Sequence, residues 1–209
     1  MADPKPQATR RRRRVDGEAS RTRILDAATE IASERGYEGT SIAAVSAKSG
    51  LPASSIYWHF KDKDDLLAAV IEHSFAHWRS AWQLPAEGTP RERFVGVAQQ
   101  IAQAFVDSPD FLRIGLMLAL ERRPVEPRAR AMFIDVRAQM QATLSVDLRE
   151  LTPGLTDVQL QQLISYAVAG ADGLLVAKEI GGDTVDLPAL FEMHAIALYG
   201  LATGMLAAQ

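Results

Sequence analysis

The chain contains no cysteine. That excludes disulfides, thiolate metal sites and a cysteine nucleophile, and it fits a reducing compartment, so the cytoplasm is the expected location. Long hydrophobic runs are also missing. A stretch such as Ile114 to Leu120 falls well short of the roughly 20 residues that a spanning helix requires, and no membrane partner is expected. The N-terminus is polar and arginine-rich without an apolar h-region, which does not read as a secretory signal. Strand signals are nearly absent, and no repeat of fixed period is visible. Catalytic signatures are lacking too. There is no G-x-S-x-G elbow, no P-loop, no G-x-G-x-x-G after a strand and no H-E-x-x-H helix, so the chain is not expected to be an enzyme. Its acids read as helix caps and solvated faces. Histidines number four, and the only metal-like spacing is His73 with His77, four apart on one helical face. Two ligands are half a set, and neither a metal nor a cofactor is expected.

What the sequence does hold is a hydrophobic share of 47% over 209 residues, enough to bury a real core in one large domain or two small ones. The net charge of −3 conceals a division. Residues 1–63 carry 12 Lys+Arg against 8 Asp+Glu, a balance of +4, and residues 64–209 carry 11 against 18, a balance of −7. The N-terminal third is thus the part suited to a polyanion.

Residues 1–16 are polar, proline-bearing and charge-dense and read as a flexible arm, with Arg10, Arg11, Arg12, Arg13 and Arg14 as its only low-complexity segment. From Ser20, a plausible N-cap, Ile24, Leu25, Ala28, Ile31 and Ala32 recur at helical spacing until Gly36. Thr40 is a second N-cap candidate. Asp62 and Asp65 then stand three apart, like an acidic capping box, before a long helix with Leu66, Leu67, Val70, Ile71, Phe75, Trp78 and Trp82. Further helices are expected at about 91–107, 109–123, 126–151, 156–181 and 187–207, separated by proline and glycine. The expected class is all-α, with about nine helices.

Between Thr40 and Lys61 the pattern is that of two short helices around a glycine turn, the form of a DNA-reading helix-turn-helix. Gly50 suits the left-handed conformation at the end of the first helix, Leu51 is pushed from the α region by the following proline, and Pro52 can open the second helix. Ile42, Val45, Leu51 and Ile56 supply apolar contacts between the helices. Small residues at the start of the second helix allow close approach to a groove, and hydroxyls such as those of Ser54 and Ser55 reach phosphates or base edges. Tyr57 and Lys61 suit phosphate contact, Phe60 suits the small domain's core, and Thr40 or Ser41 lies at a helix N-terminus that favours a phosphate.

The stretch from Ile24 to Leu67, with GYEGTSI, the turn glycine, IYWHF and KDKDDLL at matching spacing, resembles the N-terminal domain of TetR/AcrR-type transcriptional regulators. It covers about a quarter of the chain. The resemblance implies DNA contacts at Thr40, Ser41, Tyr57 and Lys61, a recognition helix starting with Pro52, Ala53, Ser54 and Ser55, and a further DNA-proximal position at His59. The chain departs from the commoner pattern at Ser46, where alanine is usual, and at Ala53, where a lysine or arginine frequently stands. Without a long cation at Ala53 no bidentate guanine contact arises there, so readout leans on Ser54, thymine methyls, DNA shape and the arginine arm, which can enter a minor groove or neutralise phosphates. The implied organisation is an arm (1–16), a DNA-binding domain (17–63) and a ligand-binding and dimerisation domain (64–209).

Under the same resemblance the helices after residue 62 enclose a pocket, with Phe75, Trp78, Trp82, Phe105, Phe111, Met117, Met132 and Phe133 as its apolar candidates. Arg113 reads either as a partner for an anionic ligand head or as a surface pair to Glu121. The last two helices present apolar stripes with small residues, Leu160, Leu163, Ile164, Ala167, Ala171 and Leu174, then Ala197, Leu201 and Gly204, suited to pairing with a second copy. The expected partners are therefore a roughly palindromic double-stranded DNA operator, a small effector and a second copy of the chain. The expected activity is that of a ligand-responsive repressor. A helix-turn-helix protein that organises DNA without a ligand stays open as the alternative.

Overall fold

The structure, a computed structural model, describes the backbone of residues 7–121, 125 and 127–208, and within these the side chains from Asp16 onward. Among the described residues there are nine α-helices, one 3₁₀ turn at Gly182–Thr184 and no strand. In order the helices are α1 (Gln7–Gly39), α2 (Ile42–Ser49), α3 (Ala53–His59), α4 (Lys63–Ser80), α5 (Pro90–Asp107), α6 (Asp110–Leu120), α7 (Arg128–Leu151), α8 (Asp157–Gly181) and α9 (Leu187–Ala207). The all-α class follows from the patterning, and caps set the boundaries. Thr89 with Glu92, and Thr156 with Gln159, form reciprocal capping boxes at α5 and α8, and the Asp186 side chain caps α9.

The arm expected over residues 1–16 is instead helical from Gln7, where α1 begins. Arginine is a strong helix former, and no proline or glycine stands between Gln7 and Asp16. The side chains of Arg10 to Arg14 lie outside the described ones. At its other end α1 is interrupted where expected: Gly36 has φ 69° and ψ −174°. That conformation suits a residue without a Cβ, and Met117 covers the position where one would stand.

Two compact units make up the chain, residues 1–74 with 113–133 and residues 75–112 with 134–209. The division falls within α4, α6 and α7 and not at residue 63. In the first unit, the Asp64 carboxylate accepts the backbone N–H groups of Arg128 (2.8 Å) and Ala129 (3.3 Å), and the Arg128 guanidinium meets Asp65 at 2.8 Å. These bonds cap the start of α7 with the acids that open α4. The unit's core is built from the periodic face of α1 (Ile24, Leu25, Ala28, Ile31, Ala32), Val45 of α2, Ile56 of α3 and the Leu66, Leu67, Val70 and Ile71 face of α4. The acidic capping box is present in modified form: Asp62 accepts from the Asp65 N–H at 2.8 Å, and Asp65 accepts from the Lys61 N–H at 3.0 Å.

The second unit packs α5 and α8 against α9. Its aromatic interior is continuous: Trp78 stacks on Phe105 (5.3 Å between centroids), lies 5.8 Å from Phe111 and meets Trp82 edge-on at 5.5 Å, and Phe105 reaches Phe191 at 5.6 Å. Arg93 holds the segment before α5 by donating to the Pro85 carbonyl (2.6 Å) and pairing with Glu150 (2.5 Å). Nearby on α7, burial pushes the Asp147 carboxyl above its ordinary value, Arg79 and Arg93 opposing the shift and Glu150 adding to it. The native state therefore holds this proton more tightly than the unfolded chain, and the stability it contributes is complete below the ordinary Asp value near 3.8 and lost as pH rises through the folded value. Asp147→Asn should melt higher than the parent chain at pH 7, and the advantage should vanish in melts recorded below about pH 4.

Of the described helices, α9 alone is long and apolar enough to cross a membrane by length and composition. Its Leu187, Phe191, Ala195, Leu198 and Ala202 are buried in the second unit and Glu192 interrupts its apolar side, so one face serves a protein core and the other stays uncovered.

Candidate nucleic-acid interface and ligand cavity

The turn between α2 and α3 is fixed by a small set of bonds. Gly50 ends α2 at φ 66°, ψ 20°, in the left-handed region expected for it. The Ser46 hydroxyl donates to the Leu51 carbonyl at 2.7 Å, so the departure from the usual alanine supplies a partner to a turn carbonyl. Arg23 of α1 donates to the Ser49 carbonyl at 2.6 Å and ties the turn to the unit's core helix. Val45 and Ile56 are fully buried between the helices, while Ile42 and Leu51 are half-buried.

Two local expectations need correction. Thr40 is 1% exposed, and its hydroxyl donates to the Gly36 carbonyl at 2.8 Å, so it serves the α1 break; Ser41, exposed, is the N-cap of α2 and accepts from the Ala44 N–H. Pro52 is the N-cap of α3 in extended conformation, one position before the expected helical start, because its own φ of −63° pairs with a ψ of 150°. No side chain caps that end.

Pro52, Ser54, Tyr57 and Lys61 are exposed and Ala53, Ser55 and His59 half-buried, giving α3 one solvent face of small residues and hydroxyls ending in an aromatic and basic group. Phe60 is buried, with the Arg21 guanidinium 5.5 Å over its ring. Burial, and then the nearby Arg21 charge, hold the His59 imidazole below its ordinary value, so it faces this surface neutral at pH 7. Trp58 was not singled out as a contact residue by the sequence pattern, yet it is the most exposed aromatic of the chain at 77%. Its ring lies against Gly17 of α1, and a cleft bordered by Asp16, Gly17, Ser20, Ser54, Ser55, Trp58 and His59 joins α1 to α3. The helical residues 7–16 continue from the edge of that cleft.

The second unit contains a cavity of about 100 Å³. Its wall includes Trp78, Trp82, Phe105 and Phe111 among the expected residues. Phe75 is not in the wall but behind it, 5.2 Å from the Phe111 ring and 6.3 Å from Trp78. Arg113, Met117, Met132 and Phe133 belong to the first unit, where Phe133 packs its ring on Gly115 and Met117 covers Gly36. They were expected at the cavity because α6 and α7 carry them, but each of these helices divides its residues between the units. The pattern missed Phe94, Met140 and Phe191, and also the polar edge formed by Arg137, Asp172 and His194. Arg137 holds Asp172 in a two-pronged pair at 2.7 and 2.6 Å, and His194 Nε2 lies 3.0 Å from the Ala167 carbonyl. The His194 ring occupies the space that a side chain at Gly170 would fill.

Leu160, Leu163 and Ile164 are buried in their own chain, and Ala167 and Ala171 line the cavity, so these five are not free for a second copy. Leu174 is half-buried, and Ala197, Leu201 and Gly204 are exposed. The uncovered apolar face runs instead through Tyr166, Val176 and Ile180 of α8 and Met193, Ile196 and Leu201 of α9. Beside them Gly173, Gly200 and Gly204 have open space where a Cβ would stand. An apolar pattern right around α8 cannot by itself say which side the chain's own core takes.

Among known proteins, residues 24–70 match the model of "Bacterial regulatory proteins, tetR family". The regulator AcrR of Shigella flexneri is 36% identical over 64 residues, 31% of this chain and 30% of that protein. The chain thus spans about a third of the length of the first curated relatives it matches. The repressor AcnR of Corynebacterium glutamicum is similar over more of its length, 24% identical over 180 residues, 83% of this chain and 89% of that one. The fold is shared with FadR of Bacillus subtilis, solved in complex with stearoyl-CoA, at a TM-score of 0.67 and 20% identity over 88% of this chain and 98% of that one.

Proposed function

We propose that the chain, whose residues 24–70 match the tetR family of bacterial regulatory proteins, is a transcriptional repressor of that family which binds operator DNA as a homodimer in the cytoplasm and is released by a small, largely apolar effector. The observation that carries the reading is the exposed face of α3, with Ser54 and Tyr57 on a helix fixed by the Gly50 turn and Lys61 exposed just past its end. Such a face is compatible with a major groove, where small residues allow approach and Tyr57 and Lys61 meet phosphates. Ser41 serves the same purpose at the start of α2. The uncovered face of α8 and α9 supports the dimer, and two-fold symmetry then calls for a roughly palindromic operator.

Release follows from linkage. An effector that prefers a state with the recognition helices splayed from successive major grooves lowers DNA affinity, and DNA lowers effector affinity by the same factor. α4 is the proposed lever, its residues being divided between the DNA-reading unit and the cavity unit. DNA selected from a random pool by the purified protein, followed by anisotropy titration with and without compounds that raise the melting temperature, tests the reading. No selected sequence would sink DNA-specific repression. A selected operator that no stabilising compound releases would favour the ligand-independent DNA organiser.

The helical segment from Gln7 to Asp16 brings five consecutive arginines next to the cleft at Trp58 and is proposed to add phosphate contacts. Deleting residues 1–14 should weaken binding to all DNA sequences and flatten the slope of log K against log salt by about 1 for each phosphate that the segment neutralises. An unchanged slope would leave the segment without that part.

A further inference from the structure

We propose that the ligand of the second unit is an uncharged aromatic or alicyclic molecule carrying an acceptor oxygen, such as an ester, ketone or lactone, and that the indole N–H groups of Trp78 and Trp82 recognise that oxygen. The assignment rests on the effector reading above and gives the effector a chemical class.

Trp78 and Trp82 are each 2% exposed, both rings line the cavity, and the Nε1 of each is buried without a hydrogen-bond partner. An indole N–H can only donate, and a buried donor left unmet is costly enough that folded proteins rarely keep one. Here two occur on adjoining rings of one wall. Acceptors that border Trp78 or Trp82 each take another donor, the Trp82 carbonyl the Arg79 guanidinium at 2.9 Å, Gln100 the Gln83 N–H at 3.0 Å and Asp107 the Gln103 amide at 2.8 Å, and none takes an indole N–H. An oxygen brought in by a ligand meets that demand once the side chains covering each nitrogen give way, and the rest of the wall is almost wholly carbon.

Charge is disfavoured at the polar edge. Arg137 and Asp172 already satisfy each other in fork geometry, and both are largely covered. A carboxylate or ammonium head would have to part this pair and strand one of its members, which disfavours charged ligands against neutral ones of the same shape. Ring-shaped ligands suit the wall because Trp78, Phe105, Phe111 and Phe191 offer faces and edges at stacking distance.

The chain has three tryptophans, and the third, Trp58, is exposed, so the full-length protein with ¹⁵N-labelled tryptophan should give two buried indole N–H resonances and one exposed control. Three probes of matched body separate the terms: methyl 1-naphthoate, 1-ethylnaphthalene and the 1-naphthoate anion. The ester should bind about tenfold more tightly than either other probe, the worth of one good hydrogen bond, and should move the buried indole resonances downfield while the Trp58 resonance stays. Trp78→Phe and Trp82→Phe should reduce the ester's affinity by more than that of 1-ethylnaphthalene, because both probes lose ring contact and only the ester loses a donor; equal losses would overturn the assignment. Equal affinities of ester and hydrocarbon, a preference for naphthoate, absence of ester binding up to its solubility, or indole resonances unmoved by bound ester would each overturn the assignment. An ester that binds as expected without loosening operator DNA would overturn the effector reading and leave the assignment standing. Release of DNA by naphthoate alone would do the reverse.

Discussion

Tyr57→Ala combined with Lys61→Ala should lower operator affinity by about 100-fold for each half-site. Tyr57 is exposed in the last turn of α3 and Lys61 just beyond it, and neither takes part in the unit's core. A hydrogen bond to a charged phosphate contributes about 1.5 kcal/mol, two contribute about 3, and each 1.4 kcal/mol is a factor of ten in affinity. In a homodimer the loss is incurred twice. The melting temperature should scarcely change, because substitutions at exposed positions away from caps and turns stay within about 0.5 kcal/mol. Removing the Lys61 charge should also flatten the salt slope by about 1 per protomer, whereas Tyr57→Ala alone should leave it unchanged. Anisotropy titrations of selected operator DNA at several salt concentrations give all three quantities. A folded variant that binds as the parent does with an unaltered salt slope would place the DNA-reading face elsewhere on the unit.

The first unit was the more legible part of this sequence, and the reason is local. Gly50, Leu51 and Pro52 act on their own backbone, so a turn between two short helices follows from chemistry within three residues. The starts of α5, α8 and α9 were legible for the same reason, since Pro90, Thr156 and Pro188 act within one turn of the ends they define, whereas α6 stops at Leu120 and α7 begins at Arg128, two to three residues inside the expected limits. Thr40 could not be placed by such rules. Whether it or Ser41 caps α2 depends on the break at Gly36, which turns the Thr40 hydroxyl back to the preceding helix. Nor did the composition of residues 7–16 distinguish a flexible arm from a helix, because a run of arginines is both strongly self-repelling and a good helix former.

The cavity was less legible, because its wall is assembled from residues far apart in the chain. Aromatic side chains at helical spacing identify an interior without saying which interior. Phe111 lines the cavity and Phe133 does not, although both are large, apolar and nearly fully buried. The Arg137–Asp172 pair spans 35 positions and leaves no trace in either local pattern. On α8, Leu160, Leu163 and Ile164 turn to the chain's own core while Tyr166, Val176 and Ile180 are left outside. The helix had too few polar residues to mark the difference. α4 combines both situations: its first turns share capping acids with α7, and its last carries Trp78 into the cavity wall. A periodic apolar stripe running from Leu66 to Trp78 therefore serves two cores in succession, with nothing in its spacing to mark the change.

Gly115→Ala should be the most destabilising single-methyl change in the first unit. Gly115 stands in the middle of α6, and a Cβ built there falls within the van der Waals envelope of three atoms of the Phe133 ring. The φ of Gly115 is not positive, so backbone freedom is not what the glycine supplies. In an unencumbered helix the substitution would add up to about 1 kcal/mol of stability through propensity. Here Phe133 is 3% exposed and has little room to retreat, so overpacking dominates and a net loss of about 2–3 kcal/mol is expected. The sign of the result thus separates local propensity from packing. Pairing the change with Phe133→Leu, which shortens the opposing side chain, should recover part of the loss, and the four chains make a double-mutant cycle with a coupling energy of about 1 kcal/mol or more, near the middle of the usual range for residues that touch. Denaturant melts of the parent, both single variants and the double variant supply the cycle. Additive effects would mean that α6 and α7 do not meet at this glycine, and a stabilised Gly115→Ala would mean that the ring yields at little cost.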